Sequence, residues 1–105
     1  MKRLFPLLLL PTLALAATPD GKSIALHGND NGALPCAACH GLQGLGNQSI
    51  GAPRLAGLPA TVIETYLAHF AAGQGGTALM QHIARALSPA ETQAVAAYFA
   101  TLPRQ

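Results

Sequence analysis

The stretch that most constrains this chain is Cys36-Ala37-Ala38-Cys39-His40. A C-x-x-C-H run is the attachment signature of a c-type haem. The two thiols add across the porphyrin vinyl groups, and two intervening residues set the sulfur separation that those vinyls need. Ala37 and Ala38 are small enough to lie under the ring. The histidine that follows is carried beneath the iron, where a ring nitrogen can bind it as an axial ligand. A bare C-x-x-C also occurs in thioredoxin-like redox pairs and as half of a zinc site. The redox pair wants a surrounding βαβ pattern, which this sequence lacks. The zinc site wants a second pair of ligands at ligand spacing, and His69 and His82, thirteen residues apart, do not supply it. The motif therefore predicts one haem c, covalently bound by Cys36 and Cys39, with His40 as an iron ligand.

The amino terminus agrees with this. Lys2 and Arg3 precede an apolar run from Leu4 to Leu15, and Ala14-Leu15-Ala16 forms an A-x-A cleavage site. Residues 1–16 thus read as a cleaved secretory signal and 17–105 as one small domain. The apolar run is broken by Pro6 and Pro11 and falls short of the about 20 residues of a membrane span. No cysteine stands at the cleavage point to accept a lipid. Haem c is attached outside the cytoplasm, so the expected location is the periplasm.

Cleavage changes the charge argument. The whole chain has a formal net charge of +2, but Lys2 and Arg3 leave with the signal. Lys22, Arg54, Arg85 and Arg104 then face Asp20, Asp30, Glu64 and Glu91, a balance of zero. Two haem propionates would make the holoprotein slightly acidic. Nothing here points to nucleic acid, which calls for a clustered basic face. The domain also has no tryptophan and few aromatics, a thin core for its size. A Cys36–Cys39 disulfide would close too short a loop to stabilise much. A buried porphyrin would supply the missing core, so the apoprotein is expected to be largely unfolded.

The remaining segments can be placed in order. Asp20 caps a short helix reaching about Leu26 or His27, with Ile24 and Leu26 facing inward. Gly28 to Gly32 is turn chemistry, with His27 a solvent-facing helix end. Gly41 to Leu58 has little periodicity and many glycines, as expected of a segment wrapping a haem edge. Within it the Pro53 carbonyl is a candidate acceptor for the His40 ring N–H. Arg54 is a candidate partner for a propionate. Pro59 opens a second helix with its body from Ala60 to Ala72, closed by Gly73. Val62, Ile63, Tyr66, Leu67 and Phe70 form its apolar stripe, with Tyr66 and Phe70 in the core and His69 exposed. Ser88, Pro89 and Glu91 give the last helix an N-cap, a first-turn proline and a capping box. Val95, Tyr98, Phe99 and Leu102 are its inward residues, and Pro103 stops it.

Met80 ends the glycine loop Gly73-Gln74-Gly75-Gly76 and is the one methionine outside the signal. A thioether is a soft ligand suited to iron, and a His/Met pair raises the potential of a haem. Met80 is therefore the candidate second axial ligand. His82 is the rival, and would give a bis-histidine centre of lower potential.

Taken together, these motifs resemble the class I cytochromes c, in particular short bacterial monohaem proteins and single halves of dihaem cytochromes c. The resemblance covers roughly residues 20–103. It rests on Pro35 to Gly41, on Pro53-Arg54-Leu55-Ala56-Gly57, on Met80 with Ile83-Ala84, and on both ends of the last helix. It implies an all-α fold of about three to five helices around one covalently bound haem. In such a fold the first and last helices cross closely, with Gly21 or a small neighbour against Tyr98 or Phe99. It also implies His40 and Met80 as the metal ligands, with the Pro53 carbonyl supporting His40. Relatives often carry an arginine where Gln74 stands, and a longer loop before the methionine. The resemblance implies a one-electron carrier, not an enzyme, that docks transiently with redox proteins such as a dehydrogenase, an oxidase or another cytochrome. A haem subunit of an exported dehydrogenase complex is the alternative, and an open, ligand-binding or peroxidatic haem a further one.

Overall fold

The computed structural model describes residues 18–105. The expected signal, residues 1–16, lies outside the described residues. Five α-helices follow one another: α1 (Gly21–His27), α2 (Ala37–His40), α3 (Ala60–Ala71), α4 (Ala78–Arg85) and α5 (Pro89–Thr101). One 3-10 turn, Gln48–Ile50, lies between α2 and α3, and no strand occurs among the described residues. The all-α class and the helix number are those expected.

The two terminal helices form the frame. Asp20 caps α1 by accepting the Lys22 amide N–H at 3.1 Å. Ser88 caps α5, its Oγ accepting the Glu91 N–H at 3.1 Å while the Glu91 carboxylate accepts the Ser88 N–H at 2.9 Å. The helices pack where Gly21 is buried against α5. A methyl group at Gly21 would collide with the Ala94 carbonyl and lie 3.1 Å from Tyr98 Cβ, so only hydrogen fits. On α5, Val95, Ala96 and Phe99 are buried, and Tyr98 meets Phe99 edge-on with centroids 5.3 Å apart. Phe99 is the largest fully buried side chain among the described residues. On α1, Ile24 and Ala25 are buried while Leu26 is half-buried, so the inward face is centred one residue earlier than expected.

Helix α3 corrects the sequence reading in part. Ile63 and Leu67 are buried and Phe70 half-buried, but Tyr66, expected in the core, is 57% exposed, and Val62 is exposed beside it. Residues 62 and 66 sit one position, about 100°, behind the face formed by 63 and 67. The buried stripe is thus narrower than the apolar one. Tyr66 instead lies beside Phe70, with ring centroids 6.1 Å apart. The end of α3 is closed by Gly73 and Gln74, whose N–H groups reach the Phe70 and His69 carbonyls at 2.9 and 2.8 Å, the Schellman arrangement.

Helix α4 was not anticipated. Where a glycine loop was expected to deliver Met80, the chain turns into two turns of helix. Thr77 is the cap, its Oγ1 accepting the Met80 N–H at 3.1 Å. Ile83 and Ala84 are buried, and α4 packs on α3. Arg85 spans the two, its Nε donating to the Ala71 carbonyl at 3.1 Å. The core gathers α1, α3, α4 and α5 with Ala33 and Leu87. Cys36, Leu55, Phe70 and Met80 pack half-buried against it.

Candidate haem site

The motif folds as a single helical turn. The Cys36 carbonyl accepts the N–H groups of Cys39 at 3.3 Å and His40 at 2.9 Å. Residues three and four apart on a helix share a face, so this turn brings Cys36, Cys39 and His40 to one side. Both cysteines are free and half-buried. Burial pushes the Cys36 thiol above its usual range, offset in part by a backbone hydrogen bond.

His40 is 7% exposed, and the loop after it explains how it is held. The Gly46 N–H donates to the His40 carbonyl at 2.8 Å. The chain then doubles back through an antiparallel bridge between Asn47 and Ala52. The Gly44 carbonyl accepts from both Leu55 and Ala56, at 2.8 and 2.9 Å. Gly44 has φ +68°, and a side chain there would meet the Phe99 ring at 2.8 Å. The segment expected to be merely unperiodic is therefore closed by backbone bonds. Its return leg lays the Pro53 carbonyl 2.8 Å from His40 Nδ1, as anticipated.

That contact fixes the tautomer. A carbonyl only accepts, so Nδ1 must carry the proton and Nε2 presents its lone pair. A buried imidazole held this way has the supporting acceptor that a metal-binding histidine needs. Two free thiols on the same turn complete the donor set for a covalently bound haem. Leu34, Leu42, Leu45 and Ile50, on the segments flanking the motif, are exposed apolar side chains, an environment suited to a macrocycle. The residues present fit the group.

The other expected site residues are placed less closely. Met80 is in the first turn of α4, half-buried against the core. His82, its rival, is exposed, with Nε2 3.7 Å from where a Cβ on Gly32 would lie. Arg54 follows Pro53 and is exposed. His27 and His69 are exposed, as expected. Next to Gln74, the Arg85 guanidinium lies 3.2 Å from the position of a Gly73 Cβ. No helix among the described residues is long and apolar enough to cross a membrane.

A family described as "Cytochrome C oxidase, cbb3-type, subunit III" matches residues 27–99, a span holding the whole motif, the Pro53 loop and Met80. The chain belongs to this cytochrome c family. It is 42% identical over 97 residues to a thiosulfate dehydrogenase electron acceptor of Stutzerimonas stutzeri, covering 91% of this chain and 44% of that protein. Among solved structures, cytochrome c4 of Acidithiobacillus ferrooxidans is similar at a TM-score of 0.73 and 35% identity, over 78% of this chain and 48% of the other. A thiosulfate dehydrogenase from Marichromatium purpuratum is similar at a TM-score of 0.75 and 37% identity, over 79% of this chain and 18% of that one. The chain spans less than half the length of each of these relatives. This cytochrome is a haem c protein of the electron-carrying type.

Proposed function

We propose that His40 and Met80 are the axial ligands in this cytochrome, that Cys36 and Cys39 form the two thioethers, and that the carrier works outside the cytoplasm. The observation that carries the ligand assignment is the 2.8 Å contact between His40 Nδ1 and the Pro53 carbonyl. It orients the ring, leaves Nε2 as the donor and raises its basicity. Met80 is the softest donor at hand and sits on a helix packed against the same core as Cys36. When bound, haem supplies a one-electron change in iron valence. The protein's part is to keep both ligands in place, so that little rearranges between the two valences. The Thr77 cap fixes the turn that bears Met80, and the core holds Cys36. Arg54 is proposed as a propionate partner, since it lies next to Pro53 and is exposed. The pattern of residues 1–16 supports export.

For the partner, the names of the relatives favour a dehydrogenase as donor, of the class that oxidises thiosulfate. Docking would be transient and small, with apolar contacts outweighing charge, as the zero balance of the domain suggests.

Two experiments test this. A methionine sulfur on ferric haem gives a weak long-wavelength charge-transfer band. It should be present in the oxidised holoprotein, absent in Met80→Ala and retained in His82→Ala. Its absence in the parent, or its loss with His82, overturns the Met80 assignment. Oxidised holoprotein should also be reduced by a thiosulfate dehydrogenase supplied with thiosulfate. Full reduction by dithionite but none by the enzyme would refute that class of donor.

A further inference from the structure

The side chain of Asn29 makes five hydrogen bonds to four residues in two distant parts of the chain. Its Oδ1 accepts the N–H groups of Asn31 at 3.1 Å and Ala33 at 2.9 Å. Its backbone N–H donates to the Ala33 carbonyl at 3.1 Å. These bonds shape the segment that enters Cys36 through Leu34 and Pro35. On the other side, Asn29 Nδ2 donates to the Ala86 carbonyl at 2.8 Å and to both Glu91 carboxylate oxygens at 3.2 Å. Ala86 caps the carboxyl end of α4, and Glu91 lies in the first turn of α5.

The Ala86 carbonyl belongs to the set at a helix end that has no partner within the helix. Asn29 provides that partner across 57 residues of sequence. Helix α4 has only eight residues, too few to be stable by itself, so its position depends on its anchors. Thr77 holds its start, α3 its flank, and Asn29 its end. One amide thereby joins the approach to the haem-attachment cysteines with the helix that bears Met80.

We propose that Asn29 is a positioning residue that locks the segment entering Cys36 to the end of α4 and thereby keeps Met80 on the iron. The inference rests on the assignment of Met80 as a ligand. Its chemistry needs both halves of the amide: oxygen for the loop, nitrogen for α4. Aspartate keeps the first and lacks the second, and would also face the Glu91 carboxylate.

The test uses ferric holoprotein and the variants Asn29→Ala and Asn29→Asp, with Met80→Ala as reference. The methionine band and the helical circular dichroism are followed together on heating. In the parent both should be lost at one temperature. In both Asn29 variants the band should vanish about 5 °C or more before the helices melt, on the scale of one or two hydrogen bonds in a domain of this size. Amide hydrogen exchange is the second readout. Ala86 and Leu87 should exchange faster in both variants, Ala33 faster only in Asn29→Ala, and α1 and the body of α5 little changed. If band and helices shift together, or exchange rises evenly across α1, α4 and α5, Asn29 is a general stabiliser and the proposal fails. A parent without the band refutes the Met80 assignment instead. The selective exchange pattern then still decides whether Asn29 holds α4.

Discussion

The two sides of the candidate site are built on different principles. On the His40 side, the ring is held by a carbonyl whose position follows from a loop closed by main-chain bonds, Gly46 to His40, Asn47 to Ala52, and Gly44 to Leu55 and Ala56. On the Met80 side, an eight-residue helix is held at its ends by side chains, Thr77 at one and Asn29 at the other. Main-chain closure spreads the work over many groups, whereas the side-chain anchors, with Arg85 on the Ala71 carbonyl as a third, concentrate it in few. Loss of a single anchor should thus loosen the methionine side by itself, whereas the histidine side should track the fold as a whole.

The comparison can be broken outright by denying the protein its haem. Cys36→Ala with Cys39→Ala prevents attachment, and this chain should then lose most of its helical dichroism and any cooperative melt, because the core of small residues is too thin for a domain of this size. A folded double variant would show that the polypeptide sustains both sides unaided. Next in size is Phe99→Ala. It empties the core between α5 and the Gly44 loop and should cost about 3–5 kcal/mol in denaturant unfolding of the holoprotein. It should also weaken the histidine side more than its rival, since the Phe99 ring packs against Gly44 in the loop that carries Pro53. Thr77→Ala sharpens the contrast from the opposite side. Loss of this cap should cost about 1 kcal/mol, with the methionine band yielding before the global melt. Equal shifts of band and melt would remove the distinction between the two sides.

The smallest effect is one of pH. The Ser88 backbone N–H, with a lesser contribution from Asn29, holds the Glu91 carboxyl below the usual carboxylate range. A group depressed in the folded state adds stability above its unfolded value, about 4.3, and loses that contribution as pH falls through the folded value. Denaturant midpoints should therefore drop modestly in mild acid, and Glu91→Gln should flatten that part of the curve. An unchanged slope in the variant would mean that Glu91 is not the group responsible.

Local signals were the legible ones. The C-x-x-C-H turn, the Asp20 cap and the Ser88–Glu91 box each involve residues within a few positions of one another, and each stands where its spacing implies. The Pro53 contact was readable because the proline follows the motif at a distance the loop can close. Helix α4 was hidden behind its glycine approach, although Thr77 three residues before Met80 was a usable cap signal. Tyr66 misled because periodicity reports how wide an apolar stripe is, while its neighbours decide how much of it is covered. Asn29 looked like turn chemistry, which it is. Its second task depends on Ala86 and Glu91, which only the fold brings near.

The Pro53 carbonyl has one more consequence. It is an acceptor with no proton to gain or lose in water, and it belongs to the peptide chain, so neither acidity nor a side-chain substitution at that position can switch it off. A carboxylate in its place would couple the ligand's electron donation to the acidity of the surroundings. With His40 bound to the iron as proposed, its electron donation should therefore not follow the acidity of the medium.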